Sequence, residues 1–129
     1  MKTFRNPPDV HPPQGMYTHQ VELQGPERLV ILSGQVGARP DGTLPEDGLE
    51  QLDVVLDNIE RNLAAAGMGL QDVIKITYFL VGEFDLAPLR EKMRARFQGH
   101  APCSTLLFVA GLASPAYRVE IEAWASRAA

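Results

Sequence analysis

The chain has 129 residues, long enough to bury a core unaided, and its single cysteine, Cys103, excludes an internal disulfide framework. A formal net charge of -4 works against a phosphate-binding surface, because nonspecific nucleic-acid affinity comes from lysine and arginine neutralising phosphates. No apolar run approaches the length of a membrane span, and the opening MKTFRNPPDVHPPQG lacks the apolar core of a signal peptide, so a single cytoplasmic domain over residues 1–129 is expected, with no membrane partner.

Residues 1–16 carry Pro7, Pro8, Pro12 and Pro13, which fix φ and remove donors. This stretch is expected to run extended over the surface, either as a loose arm or lining a cleft beside Tyr17. Tyr17–Leu23 alternates as a strand does, Pro26 marks a turn, and Arg28–Ser33 is expected to close a hairpin that ends at Gly34. The loop Gly37–Gly48 is dense in turn residues and carries Arg39.

From Glu46 to Ala66 the period changes to 3.6, with Leu49, Leu52, Leu56, Ile59, Leu63 and Ala66 on one stripe. Pro45, Glu46 and Asp47 suit the start of a helix and Gly67 its stop. Asp72–Val81 reads as a strand, and Leu86–Phe97 as a second helix with Leu86, Leu89, Met93 and Phe97 at helical spacing. Two further strands, Cys103–Ala110 and Tyr117–Ala125, are joined by a turn containing Gly111, Ser114 and Pro115. In the last strand Val119, Ile121 and Ala123 face one way, and Glu120, Glu122 and Trp124 the other. Carboxylates on a strand otherwise fit for burial need a donor, a cation or water, which makes this strand the first place to look for chemistry.

The order β-β-α-β-α-β-β predicts an α+β fold with two helices on one face of a mixed sheet. The other face of such a sheet is polar in a monomer, yet Val30-Ile31-Leu32, Ile76-Thr77-Tyr78-Phe79 and Cys103–Ala110 offer bulk to both sides. A second copy of the chain is therefore expected to cover that face.

Ser33-Gly34-Gln35 ending a strand, the helix LDNIERNLAAAG, the strand DVIKITYFLV and the terminal VEIEA at Val119–Ala123 together resemble the RidA/YjgF family of reactive-intermediate deaminases, also called endoribonuclease L-PSP. The resemblance runs from Tyr17 to Ala125. It implies a chorismate-mutase-like fold, with helices outside and three sheets forming the central barrel of a homotrimer. The activity implied is hydrolysis of enamines and imines such as 2-aminoacrylate, in a cleft between subunits, without metal or organic cofactor. In the residues it implies, Glu120 handles water or a proton while Tyr17, Ser33 and Gly34 line the cleft. The family's Ala-Arg-Ser, whose arginine grips the substrate carboxylate as a bidentate donor, is Pro102-Cys103-Ser104 here. An asparagine common before the second helix is replaced by the Pro88–Arg90 neighbourhood.

Each candidate has a plainer reading beside the functional one. Glu120 either activates water, which asks for a carboxyl pKa raised by partial burial, or is a structural carboxylate bonded across a subunit boundary. Cys103 either fills the arginine's space as a small side chain or is a nucleophile, for which it would need a base such as His100 or His19. Arg39, Arg90 and Arg118 are the cations that can replace the missing guanidinium, and Arg39, in its glycine-rich loop, is the first to test. His11, His19 and His100 lack metal-ligand spacing. The expectation is thus a cofactor-free deaminase acting on a small molecule, with Glu120 catalytic and Tyr17, Ser33, Gly34, Cys103, Ser104 and Arg39 at the substrate. The alternative is a trimer of the same fold that binds a small metabolite without turnover, and the acidic balance disfavours action on RNA.

Overall fold

The computed structural model describes residues 1–129. Seven strands and two helices follow one another as β1 (Lys2–Arg5), β2 (Gln20–Leu23), β3 (Glu27–Ile31), β4 (Gln35–Val36), α1 (Gly48–Ala65), β5 (Val73–Val81), α2 (Leu86–Phe97), β6 (Cys103–Val109) and β7 (Val119–Ala128). The main sheet has the order β3-β7-β5-β6, with β4 also paired to β7. β5 and β6 run parallel, with α2 as their crossover, and the β5–β7 and β3–β7 pairs are antiparallel. The expected mixed sheet with both helices on one face is therefore observed.

Both helices begin at an aspartate cap, the first among the residues the sequence signals. Asp47 caps α1 by accepting from the Glu50 amide at 3.1 Å, and Asp85 caps α2 by accepting from Ala87 at 3.2 Å. Gly67, at φ +73°, supplies the left-handed residue just past the end of α1. The α1 stripe of Leu52, Val55, Leu56, Ile59 and Leu63 meets Leu89, Met93 and Phe97 of α2 over Ile76, Tyr78 and Leu80 of β5 and Val119, Ile121 and Ala123 of β7, forming one core. Gln51 is the polar member of this layer. Its amide donates to the carbonyls of Pro45 (2.8 Å) and Ala116 (2.9 Å), and its oxygen accepts from the Arg118 amide (2.8 Å), which fastens α1 to the loop leading into β7.

Three strand pairings differ from the sequence reading. β2 does not close a hairpin with β3; it pairs with β1, Lys2 lying opposite Leu23. The prolines constrain only the residues from Pro7 onward and leave Lys2–Arg5 free to form a strand, so the arm is tied down at its first residues. β6 and β7 are not neighbours either: β5 lies between them, and the turn after β6 carries the chain over its end. Nor does pairing stop at Gly34. Ile31 faces Trp124 and Gln35 faces Ile121, so the register slips by one residue at Ser33-Gly34, a bulge after which β4 resumes the ladder.

The second face of the sheet carries Leu29, Ile31, Trp124, Phe79, Val81, Cys103, Leu107 and Val109, none of which belongs to the core. Ile31 is 57% exposed, Leu29 48%, and Trp124 and Leu107 41% each.

Candidate functional site

Chemistry-bearing side chains gather in two places. The first surrounds the start of the edge strand β6. Thr18 donates through Oγ1 to the Ala101 carbonyl at 2.6 Å, and its amide bonds Pro102, so the segment before β2 is stitched to the residues entering β6. Tyr17 is held there by its own neighbours: its ring meets His19 edge-on at 5.5 Å, and its hydroxyl accepts from the Gln14 amide at 3.2 Å. Beneath lies a cavity of about 240 Å³ lined by residues 14–17, Tyr78, Leu89, Arg90, Met93, Ser104 and Leu106. Burial pushes the Tyr78 phenol above its usual range, so it stays a neutral donor. The proline-rich arm thus lines a cleft beside Tyr17 rather than hanging loose.

The second place is the notch at the β3–β4 bulge. Glu120 projects onto the uncovered sheet face, between its cross-strand neighbours Val36 and Phe79, and accepts no hydrogen bond within the chain. Gly34 sits directly against it. A Cβ at position 34 would lie 2.7 Å from the Glu120 Cδ and 2.9 Å from its Cγ, so only glycine leaves room for this carboxyl. Ser33 lies exposed at the same bulge. The sequence reading put Ser33, Gly34 and Glu120 at one site, and the fold brings all three together.

It does not bring them to Tyr17 and Ser104. Ser104 pairs with Ile76 on the helix-covered face, and Glu120 pairs with Phe79 on the other. Cys103 shares the face of Glu120 but pairs with Lys75, whose β7 neighbour is Trp124, about 13 Å along the strand from Glu120. Desolvation pushes the Cys103 thiol up despite the nearby Lys75 ammonium, the opposite of what a nucleophile needs. Its proposed bases are engaged elsewhere: His100 Nε2 lies 2.7 Å from the Val73 carbonyl and His19 Nε2 2.7 Å from that of His11.

The substitute cations also sort themselves. Arg39 bonds Thr43 Oγ1 within its own loop at 3.1 Å and lines neither place. Arg118 donates to the Val81 and Glu83 carbonyls at 3.1 and 2.8 Å and stacks over Phe84, which makes it a brace for the loop after β5. Arg90 is the guanidinium at the cavity. Tyr78 was not singled out by sequence reasoning, since its alternation in β5 marks it only as core. No cluster of His, Cys, Asp or Glu has the makings of a metal site.

The endoribonuclease L-PSP family model matches residues 9–127. The chain belongs to this family, the RidA/YjgF family. Among curated members, it is 34% identical over 111 residues to the 2-iminobutanoate/2-iminopropanoate deaminase of Mus musculus, covering 84% of this chain and 79% of that one. The enzyme of the same name from Escherichia coli K12 is 32% identical over 117 residues, covering 88% of each chain. Of solved structures, the Rid-family protein YyfB of Yersinia pestis superposes with a TM-score of 0.84 at 30% identity, over 96% of this chain and 97% of that one. These RidA/YjgF relatives share the α+β architecture, which places the two-helix, mixed-sheet reading beyond sequence pattern alone.

Proposed function

We propose that the protein hydrolyses the C=N bond of a small imine, or of the enamine tautomeric with it, to a carbonyl compound and ammonia, in clefts between the subunits of a homotrimer. The observation that carries this reading is Glu120: a carboxylate with no partner in its own chain, seated in a notch that only glycine permits, on an apolar face left bare. The names of the RidA/YjgF relatives support the reaction class.

The chemistry asks little of the protein. With the imine nitrogen protonated, a water molecule adds its oxygen to the carbon while Glu120 takes one of its protons, giving a neutral carbinolamine. Glu120 then returns that proton to the nitrogen and takes the hydroxyl proton as the C–N bond breaks, so that the carbonyl forms and ammonia leaves, carrying off the last proton as ammonium. An enamine enters the same path once its carbon has been protonated. Because Glu120 and the Tyr17–Ser104 cavity lie on opposite faces of one sheet, a cleft using both draws Glu120, Ser33 and Gly34 from one subunit and Tyr17 and Ser104 from the next. Packing of the β6 edge of one subunit against the bare face of the next would supply that arrangement, and would enclose Glu120 in a drier setting that favours proton transfer.

The loss of the family arginine at Cys103 favours a second reading, a trimer that binds a small metabolite without turning it over. Ammonia release from freshly generated 2-aminoacrylate and 2-iminobutanoate separates the two. Wild type is expected to exceed the spontaneous rate, and Glu120→Gln to lose about 100-fold or more of that acceleration. Ligand binding without acceleration by wild type would establish the second reading.

A further inference from the structure

Of the twelve lysine and arginine side chains, Arg90 alone makes neither a hydrogen bond nor an ion pair within the chain. Its neighbours on α2 show how unusual that is. Lys92 bonds Asp53 at 2.9 Å, Arg96 bonds Asp57 at 2.7 Å, and Arg94 bonds Glu91. Arg90 instead borders the cavity, and two further polar groups there are without partners in the chain: the Ser104 hydroxyl and the hydroxyl of Tyr78, a side chain only 8% exposed. Both hydroxyls open onto the cavity, where a ligand or water can supply an acceptor. The remaining walls, Met16, Leu89, Met93 and Leu106, are apolar.

We propose that Arg90 anchors the carboxylate of the substrate from the helix side, in place of the cation absent from position 103, and that the substrate is a 2-imino or enamine acid with an apolar side chain held between Met16, Leu89, Met93 and Leu106. This rests on the deaminase reading of the same site and narrows it to a substrate class. Ser104 adjoins Cys103 on the edge strand, so a guanidinium from α2 reaches from the helix-covered side the end of β6 that an arginine at 103 would approach from the bare face. The guanidinium offers a bidentate fork to a carboxylate, and the Tyr78 and Ser104 hydroxyls add single donors. One charged anchor and a few hydroxyls in an otherwise apolar cavity select an acid with a hydrocarbon tail over a small polar one.

The test uses the intact oligomer and two readouts. Calorimetric binding of 4-methyl-2-oxopentanoate is compared with that of the uncharged 4-methyl-2-pentanone, for wild type, Arg90→Ala and Arg90→Lys. Ammonia release above the spontaneous rate is followed with the imine generated from leucine by an amino-acid oxidase. Wild type is expected to bind the keto acid at least about tenfold more tightly than the ketone. Arg90→Ala should erase that preference and leave ketone binding unchanged, raising KM with little effect on kcat, and Arg90→Lys should restore part of it. Keto-acid binding that Arg90→Ala leaves intact, or a wild type that prefers the ketone or binds neither, overturns the anchor. The two proposals fail separately: Arg90-dependent binding without ammonia release removes the deaminase and keeps the anchor, whereas ammonia release with an unchanged KM in Arg90→Ala does the reverse.

Discussion

At the scale of single residues, the site is defined by what its side chains do not touch. Glu120 keeps its lone pairs free because Gly34 approaches without a side chain, and Arg90 keeps its donors free while Lys92 and Arg96 on the same helix are paired with Asp53 and Asp57. Tyr78 is unpartnered as well, and that has a measurable consequence. Its phenol is raised above the ordinary value of 10.0 by burial, so between the unfolded and folded values the unfolded chain has lost a proton that the folded chain retains. Deprotonation then favours unfolding: the contribution of Tyr78 to stability is fully present below pH ~10 and is lost as the pH rises toward the folded value. Urea unfolding midpoints of wild type should fall above pH ~10 more steeply than those of Tyr78→Phe, and parallel curves would refute this. Glu120, Gly34 and Ser33 were legible in the sequence because they lie in short motifs with their own spacing. Arg90 was legible only as one of three candidate cations and Tyr78 only as core, since an arginine on a helix and a tyrosine in a strand acquire meaning only when the fold shows which of their neighbours are taken.

At the scale of elements, both helices were legible nearly to the residue, because their signals are local: Asp47 and Gly67 at the ends of α1, and the helical spacing of Leu86, Leu89, Met93 and Phe97 in α2. Strand pairing was not. The turn at Gly25-Pro26 looks the same whether the strands beside it pair with each other or with distant partners, and here β2 pairs with β1 and β3 with β7. The apolar alternation of β6 and β7 likewise does not record that β5 lies between them. The connection that holds α1 to β7 is the Gln51 side chain, 1% exposed and spanning both sides of the joint. Replacing Gln51 by Ala leaves two buried carbonyls and one amide without their partner. A destabilisation of about 2–4 kcal/mol is expected in urea titration, and a change under about 0.5 kcal/mol would mean that water substitutes fully for the amide.

At the scale of the whole molecule, one sheet face is covered by helices and the other is bare. The two-sided bulk of the strands was enough to foresee this from sequence, since alternation fixes which residues must share the second face. Ile31 and Trp124 lie directly opposite each other on it and both are exposed, so an acid there does not disturb the core within one chain. Ile31→Asp is therefore expected to fold, with a helical circular-dichroism signal like that of wild type, and to sediment at the mass of a single chain where wild type sediments at three times that mass. Ammonia release should vanish with the assembly, although position 31 belongs to neither group of site residues. A wild type that sediments as a monomer, or a monomeric variant with full activity, would sink the shared-cleft reading.

The edge strand β6 sets a condition on how such a protein is made. Its sequence, Cys-Ser-Thr-Leu-Leu-Phe-Val, is uncharged and free of proline, and it ends the sheet with Leu107 and Phe108 exposed. The free edge of a strand of that composition is a template on which other chains can add, and charge or proline are the usual guards against it. In the trimer proposed above, a newly released protomer thus faces a race between finding its proper neighbours and seeding aggregates. Slow synthesis, or an excess of subunits whose bare face is blocked, would shift that race toward insoluble material without altering any residue of the cleft.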